Sequence, residues 1–268
     1  MNRVVKLKTL FIIGGASGEI GAEFVRRLIV SQQVIGISRE NELDISSTNL
    51  RWLHFDLANP NETYKIVERM DFSKFARVVF IHSIGIDKFE NIDYPRIDKI
   101  ETIDPVVYNS NVNTYKYFAT ALIKKLGQER KGGAKTQLTL AMIGSVADKH
   151  GLIFLTSFSE SKNIVRGYMR DAVGRYPWVT SLAINISSTI TKSALKIRPH
   201  ADTTYWLTPQ EVVKKSLSTL LETTQGYKEI NLYKKDPQYE PDYYTNNDKV
   251  FRRWSKYVFG DNLGGVDV

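Results

Sequence analysis

Cysteine is absent from the 268 residues, which excludes disulfide frameworks, thiolate metal sites and cysteine nucleophiles. The absence also fits a reducing cytoplasm. Long apolar runs are missing as well, and no segment approaches the ~18 apolar residues of a membrane helix. Residues 10–13 form a short apolar run behind Arg3, Lys6 and Lys8. It is too short for the core of a signal peptide, and glycines follow at once. A soluble, intracellular and cytoplasmic protein is therefore expected, with no membrane partner. Low-complexity tracts are lacking, and 42% hydrophobic with 25% charged residues is an ordinary globular balance, which excludes disordered and fibrous architectures. Lysine and arginine exceed the acids by eight, yet the two signs are interspersed and no nucleic-acid motif accompanies them, so the charge reads as a solvated surface and no nucleic-acid partner is expected. His82 and His150 stand alone without ligand-like spacing, and no metal site is expected.

What is present is alternation. Apolar runs of strand length at residues 9–13, 34–38, 50–55, 77–82, 137–143, 179–186 and 230–233 alternate with helix-length amphipathic stretches at 19–30, 61–70, 105–126, 159–176 and 209–222. Such a pattern predicts an α/β fold, a single doubly wound parallel sheet flanked by helices on both faces. Asp104 with Pro105 marks one helix start, and Thr208-Pro209-Gln210-Glu211 is a capping box with proline at the first helical position. Residues 85–104 read as irregular, and 127–133 as a polar break with glycine at both ends. One domain is expected over 1–233, with 234–268 an extension packed on it; Phe251, Trp254 and Tyr257 recur there at helical spacing.

Immediately after the first strand comes Gly14-Gly15-Ala16-Ser17-Gly18-Glu19-Ile20-Gly21, with a helix opening at its end. Glycines at 15, 18 and 21 allow a tight turn, close approach of backbone to a pyrophosphate, and close packing of helix on strand. The helix N-terminus then offers free N–H groups to an anion. Between a strand and a helix at the start of a βαβ pattern, this predicts a Rossmann-like dinucleotide site. Ser38-Arg39 ends the second strand where an acid would hold a bare ribose; a guanidinium suits a 2′-phosphate, which favours NADP(H), with NAD(H) left open by Glu40 and Glu42.

Over residues 7–233 the chain resembles the short-chain dehydrogenase/reductase (SDR) family. The resemblance assigns cofactor contacts to Gly15, Ser17, Gly18, Glu19, Ile20 and Gly21, to Ser38 and Arg39, to Asp56 and Leu57 after the third strand, to Gly85 of His82-Ser83-Ile84-Gly85, to Lys162 and to Thr191. It implies a catalytic set of Asn113, five residues before Phe118, with Ser145, Phe158 and Lys162. In Phe158-Ser159-Glu160-Ser161-Lys162 a phenyl ring stands where the family has its tyrosine, and Ile186-Ser187-Ser188 replaces its Pro-Gly pair. A phenyl ring has no proton to give, and losing a general acid costs ~10²–10⁴-fold in rate.

Three readings follow from the resemblance. In the first, the chain is an NADP(H)-dependent oxidoreductase acting on a carbonyl or hydroxyl group of a small molecule, its proton supplied by water, by Ser145 or by Tyr94, Tyr168 or Tyr205. The second is an inactive nucleotide-binding homologue with a regulatory or structural role. An engineered replacement of tyrosine by phenylalanine at 158 is the third. Lys192, Lys196, Arg198 and His200 fall in the family's substrate lid, which would suit an anionic or carrier-linked substrate, and family members are commonly homo-oligomers, dimers or tetramers.

Overall fold

The computed structural model describes residues 8–39, 43–90, 102–149, 155–234 and 246–260. Seven parallel strands form one sheet in the order β3-β2-β1-β4-β5-β6-β7. They are β1 (Thr9–Gly14), β2 (Gln33–Ser38), β3 (Leu50–His54), β4 (Arg77–His82), β5 (Gln137–Ser145), β6 (Val179–Ile186) and β7 (Tyr227–Leu232). Helices α1 (Glu19–Leu28), α2 (Pro60–Glu68), α3 (Pro105–Tyr108), α4 (Thr114–Lys131), α5 (Thr156–Arg175), α6 (Lys192–Ile197), α7 (Pro209–Glu222) and α8 (Asn247–Phe259) complete the fold. This is the α/β, Rossmann-like, doubly wound architecture that the alternation predicted.

Strands covered on both faces explain the continuous apolar runs, because successive side chains enter opposite cores. From β1, Leu10 and Ile12 join the core under α2, α4 and α5, while Phe11 and Ile13 join the one under α1 and α7. In β4 the same split separates Val78 and Phe80 from Val79 and Ile81. Each such side chain, wholly buried, contributes about 1.5–3 kcal/mol relative to exposure.

Several boundaries differ from the sequence reading. The first helix stops at Leu28, leaving Val30 81% exposed beyond it. The helix read as ending at 126 runs through Gly127 to Lys131. Here packing overrides the glycine: Leu126 is buried, the Arg130 guanidinium lies 5.3 Å from the Trp178 ring, and Lys125 pairs with Glu129. Within the same stretch a π-helical turn, Asn109–Asn113, separates α3 from α4. Strand β5 continues to Ser145, β7 begins at Tyr227, and α6, which the pattern does not signal, is present. Residues 85–90 form neither helix nor strand, as expected; 91–101 lie outside the described residues. The capping box at Thr208 and Glu211 forms with both of its hydrogen bonds.

A third, smaller cluster seats α8. Ala147, Leu155, Val250 and Phe251 are buried together, with Phe89, Phe158 and Trp254 packed on them. The aromatic spacing Phe251, Trp254, Tyr257 thus belongs to a helix docked on the sheet's C-terminal edge. Among the described residues no helix is long and apolar enough to cross a membrane.

Candidate functional site

Where β1 and β4 lie side by side, their connections leave for opposite faces of the sheet, and a crevice must open beyond their C-terminal ends. A cavity of about 1340 Å³ occupies that place. It is lined at one end by the glycine turn and at the other by Ser145, Phe158, Lys162 and α8.

The turn is built as its glycines require. Gly15 has φ +79°, a conformation that a side chain disfavours, and a Cβ on Gly21 would sit 2.2 Å from the Gly15 carbonyl oxygen. Helix α1 therefore packs directly on the turn. Its N-cap, Gly18, has no side chain to satisfy the first amides, and Gly15, Ser17, Gly18, Glu19 and Ile20 all line the cavity. The Ser83 hydroxyl donates to the Gly14 carbonyl at 2.7 Å and ties the end of β4 to the turn. These features fit a dinucleotide pyrophosphate: a glycine cradle that a Cβ would fill, backed by an uncapped helix start. The Glu19 carboxylate accepts from the Lys192 backbone N–H at 2.6 Å and joins the turn to the segment after β6. Thr191 also lines the cavity and caps α6 through Ala194.

Buried Ser38 and exposed Arg39 form the cavity wall at the end of β2. Asp56 and Leu57 follow β3. The Asp56 carboxylate accepts from the Ala58 N–H at 2.9 Å, and Leu57 packs under Gly14, 3.1 Å from where its Cβ would be. Every cofactor candidate lines the cavity except Gly21, whose role is the packing just described.

At the far end stands Lys162, 2% exposed, its ammonium donating to the carbonyls of Ile143 at 3.2 Å and Ile84 at 3.4 Å. Burial pushes this ammonium down to about 8; Asp148 and Asp87 favour its charged form, and Arg166 opposes it. A Cβ on Gly85 would lie 3.2 Å from Nζ, so that glycine gives the ammonium its room. The Phe158 ring centroid is 5.5 Å from Nζ, a cation–π contact. Ser145 ends β5, its hydroxyl accepting from the Ala147 N–H at 3.1 Å.

Two asparagines of the π turn have different surroundings. Asn113 lines the cavity but bonds to the Asn109 side chain, one turn away on its own helix. Asn111 instead is wholly buried: its side chain accepts from the Ile86 N–H at 2.8 Å and donates to the Ile86 carbonyl at 3.1 Å and the Ser161 hydroxyl at 2.9 Å. It thereby ties the residues after Gly85 to the turn of α5 that carries Lys162. Within the π turn, Asn109 and Asn113 line the cavity and Asn111 turns into the interior.

Two of the tyrosines offered as substitute acids lie elsewhere. Tyr168 bonds to Thr120 and packs on the core beneath α4, and Tyr205 is 55% exposed outside the cavity lining. Tyr94 and His150 lie outside the described residues. His82 is wholly buried, with Nε2 bonded to Thr114 at 2.8 Å; burial first, then the Lys162 charge, hold it neutral well below the usual histidine range. Among the described residues no group of acids and histidines could hold a metal ion. Sequence reasoning missed Asn111, the buried Arg166–Asp148 pair, and the wall that α8 adds through Val250, Arg253, Trp254 and Tyr257. For Arg166 one signal was present, its place four residues after Lys162 on one helix face.

By sequence the chain matches no family model and no curated protein. By structure it is similar to a closed form of serine dehydrogenase complexed with NADP+, at 16% identity over 84% of this chain and 94% of that one, TM-score 0.67. A short-chain dehydrogenase from Burkholderia cenocepacia in complex with NADP superposes at 14% identity over 92% and 98% of the two chains, TM-score 0.63. ElxO carrying a tyrosine-to-phenylalanine substitution, with NADPH bound, gives 16% identity, 84% and 97% coverage, and TM-score 0.63. At such identities the likeness establishes the class of fold, a Rossmann-like α/β sheet shared with dehydrogenases.

Proposed function

We propose that the chain is an NADP(H)-dependent oxidoreductase of the short-chain dehydrogenase/reductase type, acting on a carbonyl or hydroxyl group of a small molecule. One observation carries this reading. A single cavity at the sheet's switch point joins an uncapped glycine cradle to a buried lysine, held by the Ile143 and Ile84 carbonyls, with Asn113 and Ser145 in the same lining. Structural neighbours described as holding NADP or NADPH support it, as does the resemblance in the motifs.

Bound there, the nicotinamide would supply or accept a hydride. The remaining work belongs to the chain. First-turn amides of α1 offset the pyrophosphate charge, and Arg39 forks onto a 2′-phosphate. Asp56 and Leu57 border the adenine end, and Lys162 holds ribose hydroxyls. Ser145 orients the substrate oxygen. Phe158 gives no proton, so proton delivery falls to Ser145 or to water reaching the open cavity. An anionic group on a substrate or its carrier would meet basic side chains near α6, and a homo-oligomer is the assembly that the family resemblance implies.

A second reading, a nucleotide-binding protein without turnover, draws on a specific contact. Phe158 belongs to the apolar patch with Val250, Phe251 and Trp254, so α8 packs on the ring where a reacting substrate would approach. Both readings require nucleotide binding. Calorimetric titration of the full chain should show NADPH binding more tightly than NADH. Arg39→Ala should weaken NADPH by ~10–100-fold, the worth of one charged hydrogen bond, and leave NADH unchanged. Absence of binding by either nucleotide would overturn both readings.

A further inference from the structure

Beneath Ser145 and Lys162 the interior is charged. Arg166 is 1% exposed and lies one helical turn beyond Lys162 on the same face of α5. Its Nη1 donates to Asp148 at 2.5 Å and to Asn163 at 3.1 Å. Nη2 donates to the Asn185 side chain at 2.6 Å and to the Ser145 carbonyl at 3.4 Å, and Nε stands 3.7 Å from Glu229. Asn185 passes the network on to Glu229 and Asn231 on β7, and Glu229 also takes Arg170 at 2.8 Å and the Tyr227 hydroxyl. One guanidinium thus joins the end of β5, the turn after it, β6 and β7.

The backbone makes room for this group. A Cβ on Gly144, next to Ser145, would fall 2.6 Å from the Asn185 oxygen and 3.3 Å from Arg166 Nη2. Stability alone is a poor reason to keep such a group, because aliphatic packing in place of a buried ion pair is often neutral or stabilising. What aliphatic packing cannot do is hold a carbonyl by a hydrogen bond and set a charge beside the cavity.

We infer that Arg166 is a positioning residue of the cavity: paired with Asp148, it fixes Ser145 at the end of β5 and balances the charge around Lys162 on the preceding turn of α5. What Ser145 and Lys162 then do rests on the oxidoreductase reading; the charge balance itself does not. Four groups face Lys162 from the elements around it. Asp148, in the turn after β5, and Asp87, after β4, favour the ammonium. Arg166 on α5 disfavours it, and His82 on β4 stays neutral.

The test uses the full chain without nucleotide, labelled in its lysine ε-carbons, with the Lys162 resonance assigned by its loss in Lys162→Arg and followed through the alkaline range. Arg166→Gln removes the cation and leaves Asp148, so Lys162 should hold its proton ~10-fold or more tightly than in the parent chain. Asp148→Asn should shift the titration the opposite way, to lower pH. Arg166→Lys keeps a cation and should return the midpoint towards the parent value of about 8. A merely structural role would loosen the fold in either variant, hydrate Lys162 and raise both midpoints together.

Midpoints that rise together, or that do not move, overturn the inference. Should Arg166→Gln fail to fold, Asp148→Asn decides alone, and a rise or no change there is equally fatal. Calorimetry with NADPH on the same samples separates the two levels. Unbound NADPH with split midpoints removes the oxidoreductase reading only, whereas bound NADPH with unsplit midpoints removes the role of Arg166 only.

Discussion

Under the proposed oxidoreductase reading, turnover hinges on Phe158. A tyrosine hydroxyl there would extend from the ring over which the Lys162 ammonium already lies, 5.5 Å from its centroid. The nearby cation would lower the phenol's pKa and make it a usable acid. Phe158→Tyr is expected to raise NADPH-dependent reduction of a carbonyl panel by ~10²–10⁴-fold, the ordinary contribution of a positioned general acid. If the rate stays flat while NADPH still binds, the reading without turnover is favoured. If the parent chain already turns over, Ser145→Ala should abolish that activity, and survival of the rate would exclude the Ser145 route. That Phe158 and Lys162 share one helix face is legible in the sequence because four residues make about one helical turn, whereas the tyrosine expected at 158 is only what the family resemblance implies. Which asparagine turns into the interior is not legible there, because a π turn rotates the face by an amount that the 3.6-residue period does not contain.

At the level of single elements, the strand–turn–helix at the N-terminal end of the described chain is the unit proposed to hold the cofactor's pyrophosphate. Gly21 lies against the Gly15 carbonyl, and a methyl group there meets backbone rather than a flexible side chain. Gly21→Ala should therefore push α1 off the turn, cost about 1–3 kcal/mol of stability and weaken nucleotide binding together with it. Chemical denaturation and calorimetry on the same variant check this. Unchanged values in both would mean that the turn is looser than its geometry shows. Glycine spacing announced this unit, since each glycine answers a local steric need. The α8 docking was legible only by half: an aromatic stripe says that one face is buried, yet Phe89, Leu155 and Phe158, which receive it, come from distant parts of the chain.

Across the whole molecule, the buried titratable groups give stability a signed dependence on pH. His82 is held neutral well below its ordinary 6.5, so below that pH the unfolded chain takes up a proton that the folded chain refuses. Stability from this group is complete above about 6.5 and falls as the pH drops, by at most about 1.4 kcal/mol per pH unit. Lys162 acts in another window. Its folded-state value of about 8 lies below the free value of 10.5, so stability rises with pH between the two. Denaturant midpoints measured against pH should show both limbs. His82→Gln should flatten the acidic limb, and Lys162→Met the alkaline one. Limbs unchanged in the variants would place the titrations on other groups.

By itself the sequence determined the layered sheet, from local alternation, and the glycine turn, because each follows from contacts between near neighbours or from a single backbone conformation. Tertiary structure alone decided the strand order, that Asn111 finds Ile86 and Ser161, that Arg166 finds Asp148, Asn185 and Glu229, and that α8 closes over Phe158. Those pairings join residues far apart in the chain, and only the folded sheet brings their charges and rings within reach of one another.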